Sequence, residues 1–144
     1  MREAKYYDQN IQSADEFSHI SGDSIIVSLL NQDTILRIDI IHHSDDSIPL
    51  QTQDNALICT MEALNKNNQW LPIEYWPLSW CGNSYDGIDL KKGQSLSLMS
   101  KAPTGDYKTL LRYKILGFDT LYYSNSFAGN IEYCQFKEDS STYI

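Results

Sequence analysis

Hydrophobic and polar residues alternate with a period of two in several segments of this chain. In the segment TILRIDII, Leu36, Ile38 and Ile40 fall on one side, and charged residues fall on the other. This pattern is typical of a β-strand with one face in a core and the other in water. The segments ALICTMEAL, SLSLMS and LLRYKIL repeat the alternation, with these residues on the apolar side: Leu57, Cys59, Met61, Leu96, Leu98, Leu111, Tyr113 and Ile115.

Turn residues and a proline mark the ends of further predicted strands. SIIVSLL at 24–30, followed by Asn31, Gln32 and Asp33, predicts the first strand of a hairpin. WLPIEYW predicts a strand that is at an edge or ends near Pro72, which has no backbone donor. TLYYSNSF and NIEYCQF supply the last candidate strands.

Evidence of helix is confined to one short segment. In SADEFSHI, the spacing of Ser13 and Glu16 predicts a capping box and about one helical turn. The pattern as a whole predicts an all-β domain, an antiparallel β-sandwich of about seven to nine strands, with a small closed barrel as the alternative. We expect one domain over residues 1–144, and the pattern leaves open whether residues 1–22 pack on the sandwich or form an N-terminal extension.

The charge balance narrows the classes of partner. Nineteen acidic and eleven basic residues give a net charge of -8 at pH 7, which disfavours nucleic acid and anionic membranes and favours a basic protein partner. An acidic surplus is also a common device for solubility. The chain has no apolar run long enough for a membrane helix and begins without the apolar region of a signal peptide. We expect a cytoplasmic protein if Met1 is the native start, and a secreted one if a signal was removed.

The three cysteines do not form a recognisable catalytic or metal motif. Cys59, Cys81 and Cys134 lack the C-x-x-C spacing of zinc and redox sites, and their odd number suits a reducing compartment. Pairing of Cys81 with Cys134 stays open for an exported protein, whereas Cys59 has the setting of a buried side chain. The chain contains neither a nucleophile elbow nor a glycine-rich phosphate loop. We therefore predict no cofactor and no catalytic residues.

The doublet His42-His43, followed by Asp45 and Asp46, is the only cluster of metal-capable side chains in the sequence. Adjacent residues of a strand point to opposite faces, so both histidines could bind one ion only after the strand has ended. A solvated turn is the favoured interpretation, and no metal site is predicted.

Aromatic residues concentrate in the middle of the chain, where Trp70, Trp76 and Trp80 lie close together. If Tyr75 faces the core, alternation places Trp76 outside. The predicted binding residues are Trp76, Trp80, Asn83 and Tyr85. Such a platform could stack on a sugar ring or anchor a protein, and the alternative is that these aromatics pack in a core. The loop SWCGNSYDG is explained equally well as a tight turn.

Three segments, WLPIEYWPLSWCGNSY, GDYKTLLRYKI and YYSNSFAGNI, resemble segments shared by a group of uncharacterised bacterial β-sandwich proteins. The resemblance covers the second half of the chain, implies an immunoglobulin-like sandwich and implies no reaction. The matching residues are Trp70, Pro72, Ile73, Glu74, Ser79, Cys81, Gly82, Asn83, Ser84, Lys108, Thr109, Leu111, Arg112, Tyr113, Tyr123, Ser124, Asn125, Phe127, Gly129 and Ile131.

Two of these residues suggest links between loops. Arg112 could pair with Glu74, and Asn125 could satisfy backbone groups at a strand crossing.

We expect a binding module without catalysis, which docks a protein partner such as a toxin, a nuclease or a defence enzyme. The alternatives are a carbohydrate-binding module that uses Trp76, Trp80 and Tyr85, and an enzyme that uses Cys81 with a histidine. The sequence leaves the oligomeric state open.

Overall fold

The structure, a computed structural model, describes residues 1–30, 32, 34–77 and 84–137 and is all-β. Two short 3-10 segments, Asp15–Phe17 and Tyr133–Phe136, accompany the strands. The strands of the described part are β1 (Arg2–Glu3), β2 (Tyr7–Ser13), β3 (Ser24–Leu30), β4 (Ile35–His42), β5 (Ile48–Gln53), β6 (Ala56–Leu57), β7 (Cys59–Leu64), β8 (Trp70–Pro72), β9 (Glu74–Tyr75), β10 (Tyr85–Leu90), β11 (Gln94–Lys101), β12 (Tyr107–Leu116), β13 (Leu121–Tyr123) and β14 (Phe127–Ile131).

Antiparallel sheets pack face to face around one core, which confirms the predicted sandwich. The first sheet has the order β2-β11-β4-β3. The second has the order β13-β12-β7-β8, and β14 also pairs with β12. Strands β10-β5-β6 form a smaller sheet, and β1 pairs with β9 in parallel. The immunoglobulin-like arrangement stays a prediction.

The described strands number fourteen, more than the seven to nine predicted, and five of them contain only two or three residues. Four of these five lie within segments predicted as strand: β6 in ALICTMEAL, β8 and β9 in WLPIEYW, and β13 in TLYYSNSF. The sequence pattern does not predict the longer strands β2, β5 and β10, because their segments YDQNIQS, IPLQTQ and YDGIDL each contain only two or three hydrophobic residues.

The alternating segments supply the core as predicted. Leu36, Ile38 and Ile40 of β4 are buried, together with Leu96 and Leu98 of β11. They belong to the same core cluster as residues from β6, β7 and β12 in the opposite layer: Leu57, Cys59, Met61, Leu111, Tyr113 and Ile115. Each of these strands therefore turns one apolar face toward the space between the sheets.

Strands β3 and β4 form the predicted antiparallel hairpin. Strand β8 ends at Pro72 and lies at the edge of its sheet, which confirms the prediction for the proline. NIEYCQF continues as strand only to Ile131, and a 3-10 turn capped by Glu132 and Gln135 follows. The strand predicted beyond Ile131 is therefore wrong, because local side-chain capping closes a helical turn there.

The predicted capping box at Ser13 and Glu16 is also wrong. Ser13 is the last residue of β2, and Ala14 begins the 3-10 turn without a side-chain cap. The Glu16 carboxylate instead accepts hydrogen bonds from Arg37 and Gln12. Ser13 Oγ still accepts from the backbone N–H of Asp15 at 3.3 Å, and the predicted helical turn is present as the 3-10 segment. Only the return bond from Glu16 is replaced, by its ion pair with Arg37.

Residues 1–13 add strands to two different sheets. β1 pairs with β9, and β2 pairs with β11 at the edge of the first sheet. The start of the chain thus packs on the sandwich, as part of the first sheet and of the small parallel pair β1-β9.

Asn125 joins the β13–β14 connection to the edge strand β3, as the sequence suggested. Its backbone N–H donates to the carbonyl of Ile25 at 3.3 Å, and its Oδ1 accepts from the N–H of Val27 at 3.1 Å. The neighbouring Ser124 hydroxyl accepts from the N–H of Tyr113 at 2.9 Å. This connection fixes the two sheets to each other at one side of the sandwich.

Candidate functional site

The predicted aromatic platform is not formed as expected. Trp80 and Asn83 lie outside the described residues. Trp76 is only 6% exposed, its ring stacks on Tyr6 at 6.5 Å, and its indole N–H donates to Gln53 at 2.7 Å. The prediction that Trp76 faces outward is wrong because its condition, that Tyr75 faces the core, is not met. Glu74 and Trp76 are buried and Tyr75 between them is only half-buried, so alternation places Trp76 inside.

Tyr85 is the remaining member of the predicted platform. It is 39% exposed at the start of β10, and Asp86 and Asp89 on the same strand are also exposed. Tyr85 could therefore contact a partner.

A hollow of about 520 Å³ adjoins Trp76. Its lining includes Tyr7, Gln9 and Gln53. The two amide side chains are already used, since Gln9 bonds to the backbone of Asn55 and Leu57 and Gln53 accepts from Trp76. The lining also contains four further polar side chains, Lys5, Asp8, Asp54 and Asn55.

The described cysteines do not provide a reactive thiol beside a histidine. Cys59 is buried in the core, and this burial raises the pKa of its thiol, which opposes thiolate formation. Cys134 is a free, exposed cysteine, and Cys81 lies outside the described residues.

The two adjacent histidines serve different contacts. His42 is buried, its Nε2 contacts the carbonyl oxygen of Asp46, and its Nδ1 lies 3.2 Å from Asp23 Oδ1. His43 Nε2 lies 3.2 Å from the carbonyl oxygen of Phe17. Within the ranges that the structure describes, no three His, Cys, Asp or Glu side chains form a group that could hold a metal.

Glu74 is a fully buried carboxylate with three donors. Its Oε1 accepts from the hydroxyl of Tyr6 at 2.9 Å and from the N–H of Met61 at 2.8 Å, and its Oε2 accepts from Arg2 Nε at 2.7 Å. Burial raises the pKa of Glu74, although Arg2 and the hydrogen bonds oppose the shift. The suggested pair of Glu74 with Arg112 is therefore wrong, since Arg2 on β1 occupies this place.

Arg112 instead lies between two aromatic rings on the outer face of the second sheet. Its Cζ is 4.4 Å from the centroid of Trp70 and 4.1 Å from that of Tyr123. Both Nε and Nη2 lie 2.8 Å from Glu62 Oε1. We call Trp70, Glu62, Arg112 and Tyr123 the arginine ladder.

Strand register explains why these four side chains meet. Leu111, Tyr113 and Ile115 point into the core, so Arg112 between them points outward. Arg112 pairs across the sheet with Glu62 on β7. Trp70 on β8 is opposite Leu64, two residues beyond Glu62, and Tyr123 on β13 is opposite Lys114, two residues beyond Arg112. Residues at such diagonal positions are within reach of long side chains.

Exposed hydrophobic residues extend the ladder into a wider surface. Leu110 is 41% exposed, and Leu121 and Tyr123 are each 43% exposed. By strand alternation and register, Leu110 and Leu121 share the outer face with Arg112. We call the ladder together with Leu110, Leu121, Lys108 and Lys114 the ladder face.

The ladder face has a local charge opposite to that of the whole chain. Lys108, Arg112 and Lys114 lie along the outer side of β12, and Glu62 is their acidic neighbour on β7. Lys114 Nζ is 4.0 Å from the second oxygen of Glu62. Three cations against one carboxylate make this surface locally basic.

The alternation in β12 predicts that Arg112 lies outside the core, but it does not predict the ladder. Trp70, Arg112 and Tyr123 lie in three separate segments of the chain, and only the register of four strands brings them together. A pattern with period two shows which face a residue takes, and it does not show which strand lies beside it.

Comparison with known proteins does not assign the chain to a family, since no protein-family model and no curated protein sequence matches it. Among the described residues, no helix is long and apolar enough to cross a membrane.

Proposed function

We propose that this protein is a non-catalytic binding module that docks a protein partner through the ladder face. The observation that carries the proposal is the stacking of Arg112 between Trp70 and Tyr123 beside exposed leucines. Tryptophan, tyrosine and arginine are the residue types most enriched among the energetic centres of protein interfaces.

The ladder is held in place before any partner arrives. Two nitrogens of Arg112 bind Glu62, and its Cζ lies within 4.4 Å of the centroids of two rings. Side chains that are already ordered lose little conformational entropy on binding, so more of the contact energy contributes to affinity. Leu110 and Leu121 would supply apolar area around this fixed centre.

The local charge favours an acidic contact surface on the partner. The net charge of -8 predicts a basic partner through long-range attraction, whereas Lys108, Arg112 and Lys114 favour acidic groups in direct contact. A partner with mixed charge, acidic where it touches the ladder face, fits both.

The experiment compares partner capture by three versions of the protein. Leu121→Glu places a charge on the ladder face, and Ile11→Glu is the matched control, since Ile11 is equally exposed but lies on β2 in the other layer. Proteins captured from the native host are quantified by mass spectrometry, and the affinity of the purified partner is then measured by calorimetry. We expect Leu121→Glu to weaken binding at least tenfold and Ile11→Glu to leave it unchanged.

Equal binding by wild type and Leu121→Glu would refute the ladder face as the docking site. Circular dichroism and thermal unfolding of both variants show whether any loss comes from misfolding. Lys108→Glu then tests the charge argument: it should slow association with a partner that is acidic at the contact, and it should accelerate association with a basic one.

Carbohydrate binding is the second candidate, supported by the hollow beside Trp76 and Tyr7. It is the weaker one because Trp76, the residue predicted to stack on a sugar, is only 6% exposed. Carbohydrate binding would be favoured if the protein binds an oligosaccharide and Tyr7→Ala abolishes that binding without affecting the ladder face. Catalysis by Cys81 involves a residue outside the described ranges and receives no support from the described cysteines.

A further inference from the structure

A cleft of about 540 Å³ opens between the two layers beside the edge strand β3. Ile25, Ile40, Ile48 and Leu50 line its interior together with Tyr122. Ile40 and Leu50 belong to the main core, so the cleft gives access to the apolar space between the sheets. Its volume lies in the range of small-molecule sites, which are mostly apolar with a few fixed polar groups.

The lining contains a single carboxylate and lacks basic side chains among its described residues. Asp23 is that carboxylate, and its side chain is 33% exposed. The other polar lining residues, Ser24, Ser124 and Asn125, are uncharged. The cleft therefore combines an apolar interior with one negative charge, in a protein whose net charge of -8 already disfavours anions.

Asp23 is fixed in position and ionised. Its oxygens accept from the N–H of His43 at 2.7 Å and from the N–H and hydroxyl of Ser44 at 3.1 and 2.7 Å. Partial burial alone would raise the pKa of Asp23, but the hydrogen bonds from Ser44 and His43, with the nearby His42, outweigh it and lower the pKa to about 2. A carboxylate held in this way keeps its charge at neutral pH.

The edge of β3 is closed to an added peptide strand at this place. Strand addition requires free backbone groups along the edge. The carbonyl of Ile25 and the N–H of Val27, which point outward, are both bonded to Asn125. A compact ligand can enter the cleft, whereas an extended chain would have to displace Asn125.

We propose that this cleft binds a small amphiphilic cation, namely a primary alkyl or aryl amine whose apolar part lies between the sheets and whose ammonium group lies beside Asp23. The cleft shares Tyr123 with the ladder face, but its apolar interior and Asp23 are not part of that face, and the site goes beyond the proposed docking function. Burial of the apolar part provides affinity, and the carboxylate selects the sign of the head group.

Three probes with the same chain and different head groups test the proposal. Hexylamine, hexanol and hexanoate are titrated into the labelled protein at pH 7, and backbone amide shifts are followed by NMR. Hexylamine should give saturable shifts at Ser24, Ile25 and Tyr122, hexanol should bind several-fold more weakly, and hexanoate should bind most weakly. Hexanoate binding as tightly as hexylamine, or hexylamine shifts confined to other residues, would overturn the proposal.

Two pairs of variants separate the effect of the Asp23 charge from the effect of the cleft volume. Asp23→Asn should lower hexylamine affinity to that of hexanol, while Asp89→Asn, with the same change in charge on β10 outside the lining, should have no effect. Ile25→Trp should fill the cleft and reduce the affinity for hexylamine and hexanol alike, because Ile25 shares the core face of β3 with its partner Ile40. Leu29→Trp, on the same face of β3 but outside the lining, should not.

Ile25→Trp also tests the site if Asp23→Asn disturbs the loop at Ser44, because it leaves Asp23 intact. Hexylamine affinity that is the same in Ile25→Trp and Leu29→Trp would exclude this cleft. The Leu121→Glu variant should bind hexylamine as the wild type does, so failure of the docking proposal and failure of this one are distinguishable.

Discussion

At the scale of single residues, Glu74 has the most constrained environment among the described carboxylates. A carboxylate loses several kcal/mol of hydration on burial and regains it only through good donors. Here the donors come from three places in the sequence: Arg2, Tyr6 and the backbone of Met61. Glu74 therefore ties the start of the chain to β7 and β9.

Replacement of Arg2 by Met should destabilise the protein by about 2–4 kcal/mol, because it leaves a buried carboxylate without its cation. Arg2 is 26% exposed, so water replaces part of the lost interaction and the effect should be below that of a fully buried pair. Urea unfolding at pH 7 measures the change.

The double variant Arg2→Met with Glu74→Gln is the control for this prediction. It should be less destabilised than the sum of the two single variants, because the unpaired charge is gone. Additive effects would show that Arg2 stabilises the protein through packing alone.

At the scale of the strands, β3 shows how an exposed edge is protected. A free edge offers unpaired backbone groups to other chains, and proteins commonly cover such edges. Asn125 bonds to Ile25 and Val27 in the way a neighbouring strand would. One residue from the β13–β14 connection thus replaces a strand at this position.

Asn125→Ala should increase the hydrogen-exchange rate of the Val27 amide, because that N–H loses its acceptor. We expect a loss in unfolding free energy of about 1 kcal/mol. Asn125→Asp keeps an acceptor oxygen and should retain most of the protection. Unchanged exchange at Val27 in Asn125→Ala would mean that another group covers this edge.

Strands β4, β11 and β12 could be predicted because each has one buried face. In β4, β11 and β12 the alternation of side chains follows directly from this one-sided burial, and the residues assigned to the core are buried. The hairpin of β3 and β4 followed from turn residues between two apolar runs.

The site could not be predicted in the same way, because it depends on contacts between distant segments. Trp76 follows a strand of two residues, and the face that this strand buries is set by contact with Tyr6 near the start of the chain. The arginine ladder needs the register of β7, β8, β12 and β13. Neither piece of information is contained in a local pattern.

At the scale of the whole molecule, two carboxylates give opposite contributions to the pH dependence of stability. Asp23 has a pKa lowered from its ordinary 3.8 to about 2 by hydrogen bonds that outweigh partial burial. Its contribution is present above pH 3.8 and is lost as the pH falls toward 2. Glu74 has a pKa raised by burial above its ordinary 4.5, so its contribution is present below pH 4.5 and is lost as the pH rises through the native value.

We expect the unfolding free energy to pass through a maximum at mildly acidic pH. Asp23→Asn should weaken the loss of unfolding free energy as the pH falls toward 2. Glu74→Gln should weaken the loss of unfolding free energy as the pH rises above 4.5. Urea unfolding of the wild type and both variants between pH 2 and 8 measures these slopes. A Glu74→Gln profile parallel to that of the wild type above pH 4.5 would contradict the raised pKa of Glu74.

The position of Trp70 gives the molecule an internal optical probe. The indole is half-buried on the ladder face with a guanidinium against its ring, so covering this face changes both its hydration and its electrostatic surroundings. Replacing Trp76 and Trp80 by phenylalanine would leave Trp70 as the sole tryptophan of the three. The emission and quenching of that single fluorophore would then report occupation of the ladder face in unlabelled protein at nanomolar to micromolar concentration.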